Sequence, residues 1–344
     1  MRLFPSLRPE QPALRAPGAP SRVLVACPDY AAPAGGVRQL YRLVESLRAE
    51  LKLDAYVYHR KSDFHIRWFN SAEPVLYADA TAPGPEDILI LPEVWGGAMK
   101  DHPGVRKIIF NQNAYYSFMN GYDLPPSPAP MQPGDHGVRG ILTVSDDSAQ
   151  VLRHAFPLLP VARLRYHIDA TRFHPRESKQ PRLVYMPRKH PEEAMQVLNI
   201  LALRGALRGI DVIPIDNLSE SETATLLRTS LIFLSFGYPE GFSLPPAEAM
   251  ACGCLTIGYH GQAAREFMHP DFSWPIATGD ILDFARTVEA VLHKWRHDPA
   301  PLRARATAAA AFIHHSYSLA AHRDSLRTSW AELSPHLGLP HPSS

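Results

Sequence analysis

Short runs of apolar residues alternate with amphipathic segments along most of the chain. The first run, RVLVAC at 22–27, precedes a proline- and glycine-rich loop and a segment with apolar residues at helical spacing from Val37 to Leu47. Similar apolar runs follow at 54–58, 87–91, 107–110 and 140–144. Continuous apolar runs of this length are typical of parallel strands that helices cover on both faces. This part of the chain is therefore predicted to be a doubly wound α/β domain.

A polar passage, YHIDATRFHPRESKQP, interrupts the rhythm at 166–181, and strand patterns restart at 182–186, 211–215 and 231–236. Ser219 with Glu222 three residues later is a capping box, which predicts a helix start. Two doubly wound halves predict two Rossmann-like domains that face each other across a cleft, with ligands at the carboxyl ends of the strands. The predicted segments are a flexible proline-rich tail at 1–20, an N-terminal domain at 21–165, a linker at 166–180, a C-terminal domain at 181–315, and a C-terminal helix at 316–344 that can cross back to the first domain.

Proline is the unusual entry in the composition, with 34 among 344 residues, about twice average usage. Five prolines lie in the first 20 residues, which is why that segment is predicted to be a tail. Most of the others lie in loops between predicted elements, where proline ends strands and begins helices. The proline content therefore fits a chain of many short elements.

The charge balance and the cysteine content indicate which partners and which cellular compartment to expect. Thirty-five basic residues against 34 acidic ones give a net charge of +1, which disfavours a nucleic-acid partner. Three cysteines are too few for a disulfide framework, so a reduced, cytoplasmic setting is predicted. The first residues lack the apolar core of a secretory signal, and no apolar run is long enough to predict a transmembrane segment. Peripheral contact with the inner face of a membrane stays open.

Two glutamates mark the segment that carries chemistry. Glu240 lies in the loop just after the predicted strand at 231–236, and seven residues separate it from Glu248. Pro245 and Pro246 lack amide hydrogens and suit a first helical turn, so Glu248 is predicted about one turn into a helix. A glutamate there also simply complements the helix dipole. The spacing of two carboxylates alone is therefore weak evidence for a catalytic pair.

The whole segment EGFSLPPAEAMACGCLTIG, at 240–258, resembles the signature of the retaining GT-B glycosyltransferases of family 4. HIDATRFHP at 167–175 resembles the inter-domain passage of that family, and Gly35 with Gly36 resembles its N-terminal glycine loop. The resemblance implies a GT-B fold and metal-independent transfer of a sugar, with retention, from a nucleoside-diphosphate sugar to a glycan or glycolipid acceptor. Synthesis of a surface polysaccharide or glycoconjugate is the expected setting.

The same resemblance implies roles for individual residues on the donor side. Glu240 contacts the donor sugar or assists at the reacting centre, and Glu248 binds the ribose hydroxyls. Backbone groups of Gly241, Phe242, Ser243 and Leu244 line the sugar and diphosphate. The glycine loop, Gly35 and Gly36, also belongs to the donor site.

Positive charge is needed where the diphosphate leaves. Related enzymes supply it with an Arg and a Lys five residues apart after the first strand of the second domain. Here the strand ends in MPRKH, so Arg188 is the predicted catalytic cation and Lys189 a donor-binding residue. Adjacent residues of an extended segment point in opposite directions, so only one of the two side chains is expected to reach the phosphates. Ser243 in place of a glycine is a further departure from the family pattern.

Acceptor-side candidates follow two strands of the first domain. Glu93 ends one strand, and Asn111 and Asn113 follow the next, beside two tyrosines. Turn-forming asparagines and a solvated glutamate are an equally good interpretation. No metal is predicted, because Cys252 and Cys254 lack spaced partners and no Asp-x-Asp triplet is present. A sugar-nucleotide epimerase, a phosphorylase, or a binding module without turnover remain alternatives on the same fold.

Overall fold

The structure is a computed structural model that describes residues 20–119 and 137–339. The predicted tail at 1–20 lies outside the described residues except for its last position. Two compact units are present: one comprises the residues up to Arg165 together with those from His322 onward, and the other is Tyr166–Ala321. The predicted linker at 166–180 thus lies within the second unit, and most of the last helix lies within the first.

The first unit is built on one parallel sheet. Its spatial strand order is β3-β2-β1-β4-β5-β6-β7, so the direction of winding reverses between β1 and β4. The central strands are buried along their whole length, as expected for a sheet covered on both faces. The described strands are β1 (Val23–Ala26), β2 (Ala55–His59), β3 (Val75–Tyr77), β4 (Ile88–Pro92), β5 (Arg106–Asn111), β6 (Val138–Thr143) and β7 (Val161–Arg163).

A second parallel sheet, with order β12-β11-β10-β8-β9, forms the other unit. Here the winding reverses between β8 and β10, and an open α/β sheet binds ligands at such a switch point, beyond the carboxyl ends of its strands. The described strands are β8 (Gln180–Tyr185), β9 (Asp211–Pro214), β10 (Ser230–Ser235), β11 (Leu255–Tyr259) and β12 (Trp274–Ile276). The predicted α/β class with two doubly wound sheets is confirmed.

Helices flank both sheets, and the capping box predicted at Ser219 and Glu222 is present at the start of one of them. The helix Ala300–Ser316 was not predicted, because its buried positions include two alanines and its apolar period is weak. The described α-helices are α1 (Gly35–Leu51), α2 (Asp146–Ala155), α3 (Pro191–Leu203), α4 (Glu220–Thr229), α5 (Leu244–Ala251), α6 (Ile281–His297), α7 (Ala300–Ser316) and α8 (Leu319–Leu333).

Candidate active site

Three loops at the carboxyl edge of the second sheet meet at Glu240. This residue lies in the loop after β10, and its main-chain N–H donates to the carbonyl oxygen of Gly261, after β11, at 2.7 Å. Its carboxylate forms an ion pair with the ammonium group of Lys189, which lies in the loop after β8. Because β8 and β10 flank the switch point, Glu240 and Lys189 lie where open α/β sheets generally bind ligands.

Two glycines make room for the Glu240 side chain. A Cβ atom on Gly237 would lie 2.8 Å from Oε1 of Glu240, closer than real Cβ contacts. A Cβ atom on Gly261, where φ is +60°, would lie 2.7 Å from the carbonyl oxygen of Gly237. Glycine at both positions therefore lets the loops after β10 and β11 approach closely and fixes the direction of the carboxylate.

Helix α5 begins at Leu244, at the two prolines, as the sequence predicts. Ser243 precedes it with φ +67° and ψ 66°, in the left-handed region that favours glycine. The family pattern has a glycine at this position, so the serine keeps the geometry at a cost in backbone strain. The Ser243 hydroxyl is buried and has no hydrogen-bond partner among the described residues, so it is available to a ligand oxygen at the start of α5.

Phe242 anchors this loop through its side chain. The ring is 3% exposed and packs at 5.3 Å from the ring of Tyr166, 5.5 Å from that of Phe267 and 5.1 Å from that of Tyr317. The side chain therefore belongs to the core of the second unit. Only the main chain of Phe242, with that of Gly241, is left for the predicted contact with the donor, which stays a prediction.

The other donor-side candidates differ in exposure. Glu248 is the fifth residue of α5 and is buried, whereas Arg188 is exposed in the turn after β8. Lys189, and not Arg188, is the basic residue that contacts Glu240. Five residues after Arg188, where the family pattern has its lysine, this chain has Glu193. The charge at the second basic position is therefore reversed.

Hydrogen bonds through Gln112 tie together the loops that carry the first-unit candidates. The Gln112 side-chain amide donates to the carbonyl oxygen of Gly36 at 3.0 Å, and its main-chain N–H donates to Oε2 of Glu93 at 3.1 Å. Helix α1 includes both Gly35 and Gly36 and so begins two residues earlier than predicted. The loops after β1, β4 and β5 are thus connected at the switch point of the first sheet. The sequence places Gln112 after the same strand as Asn111 and Asn113, but its contacts with Gly36 and Glu93 were not predicted, because they are long-range.

Burial gives Glu93 an unusual carboxyl group. It is 3% exposed, and desolvation raises its pKa to about 7 even though the main-chain N–H groups of Gln112 and Asn113 donate to it. Desolvation disfavours the charged form of a buried acid, whereas donors favour it, and here desolvation is the larger effect. Glu93 is therefore a buried acid whose protonation changes near neutral pH, and the predicted solvated glutamate is not what the structure contains.

The raised pKa of Glu93 predicts how stability depends on pH. Between pH 4.5 and about 7 the folded protein keeps a proton that the unfolded chain has lost, so the free energy of unfolding falls as pH rises through this window. Glu93→Gln removes the titrating group. In urea titrations at pH 5 to 8, the variant is expected to gain about 3 kcal/mol relative to wild type across the window.

The control for this measurement is Glu86→Gln, a change at an exposed glutamate of the same unit. Its stability difference from wild type is expected to be independent of pH. A constant difference between Glu93→Gln and wild type over the same range would show that Glu93 titrates as it does in the unfolded chain.

The side chains of Asn111 and Asn113 serve local structure. The Asn111 side-chain amide donates to Oγ of Ser117 at 2.5 Å, within the buried interior. Oδ1 of Asn113 accepts the main-chain N–H of Tyr115 at 3.1 Å and caps the short 3₁₀-helix Ala114–Phe118. The structure therefore favours the turn-forming interpretation for both, and their assignment to an acceptor site stays a prediction.

Among the residues 20–119 and 137–339, no group of three or more His, Cys, Asp and Glu side chains is arranged to hold a metal ion. No described helix is long and apolar enough to cross a membrane. Cys252 and Cys254 are both buried.

Comparison with known proteins adds independent findings on family. Residues 206–311 match the model of the glycosyl transferases group 1, a segment that contains Glu240 and Glu248. An α-1,6-glucosyltransferase from Actinobacillus pleuropneumoniae serotype 7 is 26% identical over 208 residues, which are 58% of this chain and 61% of the relative. The match therefore spans less than two thirds of that relative.

Solved structures share the fold at low sequence identity. A sucrose-phosphate synthase from Thermosynechococcus elongatus is similar with a TM-score of 0.66 and 12% identity, over 91% of this chain and 99% of the other. HepE from Anabaena, in complex with UDP and glucose, gives a TM-score of 0.62 and 11% identity, over 91% and 100%. A glycosyltransferase from Rickettsia africae gives 0.56 and 13%, over 92% and 99%. The chain therefore shares the GT-B fold of these structures, and its segment 206–311 is similar to the glycosyl transferases group 1.

Proposed function

We propose that the chain is a family 4 enzyme that transfers a sugar from a nucleoside-diphosphate sugar to a glycan or glycolipid, with retention and without a metal ion. The observation that carries this proposal is the convergence of three loops on Glu240 at the switch point of the second sheet, within the group 1 segment. Carboxylate, ammonium and helix N-terminus lie together there, which suits a donor that combines sugar hydroxyls with phosphate charge.

The proposed reaction breaks the bond between the anomeric carbon and the phosphate oxygen while the acceptor oxygen bonds the same face of the sugar. The departing β-phosphate oxygen takes the proton of the acceptor hydroxyl. Negative charge develops on the diphosphate, and preorganised donors and cations at that position lower the barrier. Arg188, the N-terminus of α5 and the Ser243 hydroxyl are the groups that we assign to this charge.

Glu240 and Glu248 have separate roles in this proposal. Glu240, held by Gly261 and paired with Lys189, faces the sugar and the reacting centre. Glu248 binds the ribose hydroxyls from α5. Gly35 and Gly36, at the start of α1, are assigned to the donor. On the acceptor side we assign the loops that carry Glu93, Asn111 and Asn113.

Relatives suggest the first donor and the cellular setting to test. The curated relative is an α-1,6-glucosyltransferase, and HepE binds UDP and glucose. UDP-glucose is therefore the first donor to test. We further propose a role in the synthesis of a surface polysaccharide or glycoconjugate, in the cytoplasm, with peripheral contact at the membrane where the acceptor is a glycolipid.

The test is calorimetric titration with UDP, GDP, TDP and ADP, each with and without EDTA, followed by transfer assays with the matching sugar nucleotide. We expect measurable binding of one diphosphate, unchanged by EDTA, and a product whose anomeric configuration by NMR equals that of the donor. Conversion of the sugar nucleotide without acceptor would indicate an epimerase, and dependence on phosphate a phosphorylase. Failure of all four diphosphates to bind would indicate a binding module.

A further inference from the structure

Three side chains form a continuous chain of contacts between strands on both sides of the second switch point. Tyr259, the last residue of β11, donates its hydroxyl to Oε2 of Glu193 in the first turn of α3 at 2.5 Å. Oε1 of Glu193 lies 3.5 Å from Nδ1 of His190, the residue just before α3. Nε2 of His190 lies 2.8 Å from the carbonyl oxygen of Tyr238, in the loop after β10. These contacts thus connect the loops after β8 and β10 to the end of β11.

The chemistry of these contacts defines the donors. A carbonyl oxygen only accepts, so Nε2 of His190 must carry a hydrogen and donate it to Tyr238. Glu193 accepts the Tyr259 hydroxyl, and burial together with this carboxylate raises the pKa of Tyr259, so the phenol stays protonated. Nδ1 of His190 therefore faces a carboxylate, which also only accepts when ionised. Both ring nitrogens of His190 have acceptors as neighbours, a carbonyl oxygen at hydrogen-bond distance from Nε2 and a carboxylate farther from Nδ1.

His190 also has an unusual main chain. Its φ of 49° and ψ of 54° lie in the left-handed region, which residues with a β-carbon adopt only where surrounding contacts hold them. Pro191 follows at the first position of α3. The backbone alone would not select this turn, so the two side-chain contacts of the His190 ring are what hold the end of the loop after β8.

We propose that His190 is a positioning residue for sugar transfer: by bridging Tyr238 and Glu193, it fixes the loop that carries Arg188 and Lys189 against the loop that carries Glu240. This inference rests on the proposed function. His190 acts through these neighbours and is not assigned a contact with substrate.

The position of Lys189 shows how the contacts of His190 affect the candidate active site. Lys189 is adjacent to His190 in sequence and forms its ion pair with Glu240, two residues after Tyr238. Loss of the His190 bridge frees both loops at once. The distance between the cation of one loop and the carboxylate of the other then varies, and displacements of about 1 Å are enough to slow a reaction strongly.

The kinetic test compares His190→Ala, His190→Gln and Tyr259→Phe with wild type. His190→Ala is expected to lower kcat/KM for the sugar-nucleotide donor about 10-fold, with a rise in KM as well as a fall in kcat. His190→Gln keeps an amide N–H that can donate to Tyr238 and is expected to recover most of this loss, within about 3-fold of wild type. Tyr259→Phe is expected to lower kcat/KM about 3-fold. The matched control, His293→Ala at an exposed position of α6, is expected to leave the kinetics unchanged.

A spectroscopic test stands apart from turnover. In ¹H–¹⁵N spectra of the full chain, with the His190 signals assigned by their loss in His190→Gln, we expect a protonated Nε2 in wild type. Glu193→Gln, which removes the carboxylate charge, is expected to shift the Nδ1 resonance, whereas Glu192→Gln, an exposed neighbour, is not.

The outcomes separate this inference from the proposed function. A His190 ring whose single proton is on Nδ1, or unchanged kinetics in His190→Ala, overturns the positioning role even if transfer is confirmed. If the wild-type chain transfers no sugar, the proposed function fails, and the positioning role fails with it. A protonated Nε2, together with an Nδ1 resonance that shifts in Glu193→Gln, would then support only the contacts between Tyr259, Glu193, His190 and Tyr238.

Discussion

Replacing Glu240 by alanine is expected to lower the rate of sugar transfer at least about 100-fold, equivalent to a loss of ~2.7 kcal/mol of transition-state stabilisation. Glu240 is held at two points: its main-chain N–H donates to Gly261, and its carboxylate forms an ion pair with Lys189. A group held in this way costs no reorganisation when charge changes at the reacting centre. Its removal is therefore expected to reduce kcat more than donor affinity.

Two comparisons define what Glu240 contributes. Glu240→Gln preserves the shape that packs over Gly237 but removes the negative charge, so a loss equal to that of Glu240→Ala would assign the effect to charge. Glu192→Gln, an exposed glutamate of α3, is the matched control and is expected to have normal activity. Turnover of Glu240→Ala within a few-fold of wild type, with the variant folded by circular dichroism, would exclude a catalytic role.

Local patterns were sufficient to predict much of the fold. Apolar runs located the central strands, and the capping box at Ser219 and Glu222 is present where it was predicted. Strands β3, β7 and β12 have only three residues each, too few to form a pattern. Helix α7 was missed for a related reason, because alanines form part of its buried face.

For the candidate site as well, the position of a residue along the chain was predicted, whereas its long-range contacts were not. Glu240 was predicted in the loop after a strand at its carboxyl end, and the structure has it after β10. Its partner Lys189 is 51 positions earlier in the sequence, and such a contact depends on strand order, which local spacing does not contain. The burial of Glu93 and the contact of Glu193 with Tyr259 are long-range in the same sense. The pattern of one segment therefore predicts which strand or helix precedes a residue. It does not predict which side chain from another loop the residue contacts.

Replacement of the basic residue Arg188, at the switch point of the second sheet, is expected to have the second large effect on the rate of sugar transfer. Arg188→Ala is expected to lower kcat at least about 100-fold, or ~2.7 kcal/mol, because a guanidinium can donate two parallel hydrogen bonds to the departing phosphate. Arg188 is exposed in the turn after β8, next to Lys189, whose ammonium group is paired with Glu240. Lys189 is paired with a carboxylate, and Glu193 occupies the second basic position of the family pattern. Arg188 is therefore expected to stabilise most of the negative charge that develops on the diphosphate.

Arg188→Lys separates charge from geometry. It keeps one positive charge but not the fork of donors, so an activity between those of wild type and Arg188→Ala is expected. Lys189→Ala is expected to lower activity less than Arg188→Ala, since its loss leaves the Arg188 fork in place. The matched control is Arg286→Ala, at an exposed position of α6, with unchanged turnover. If Lys189→Ala proves the more damaging change, the lysine beside Glu240 carries the phosphate charge, and the assignment of Arg188 as the catalytic cation is wrong.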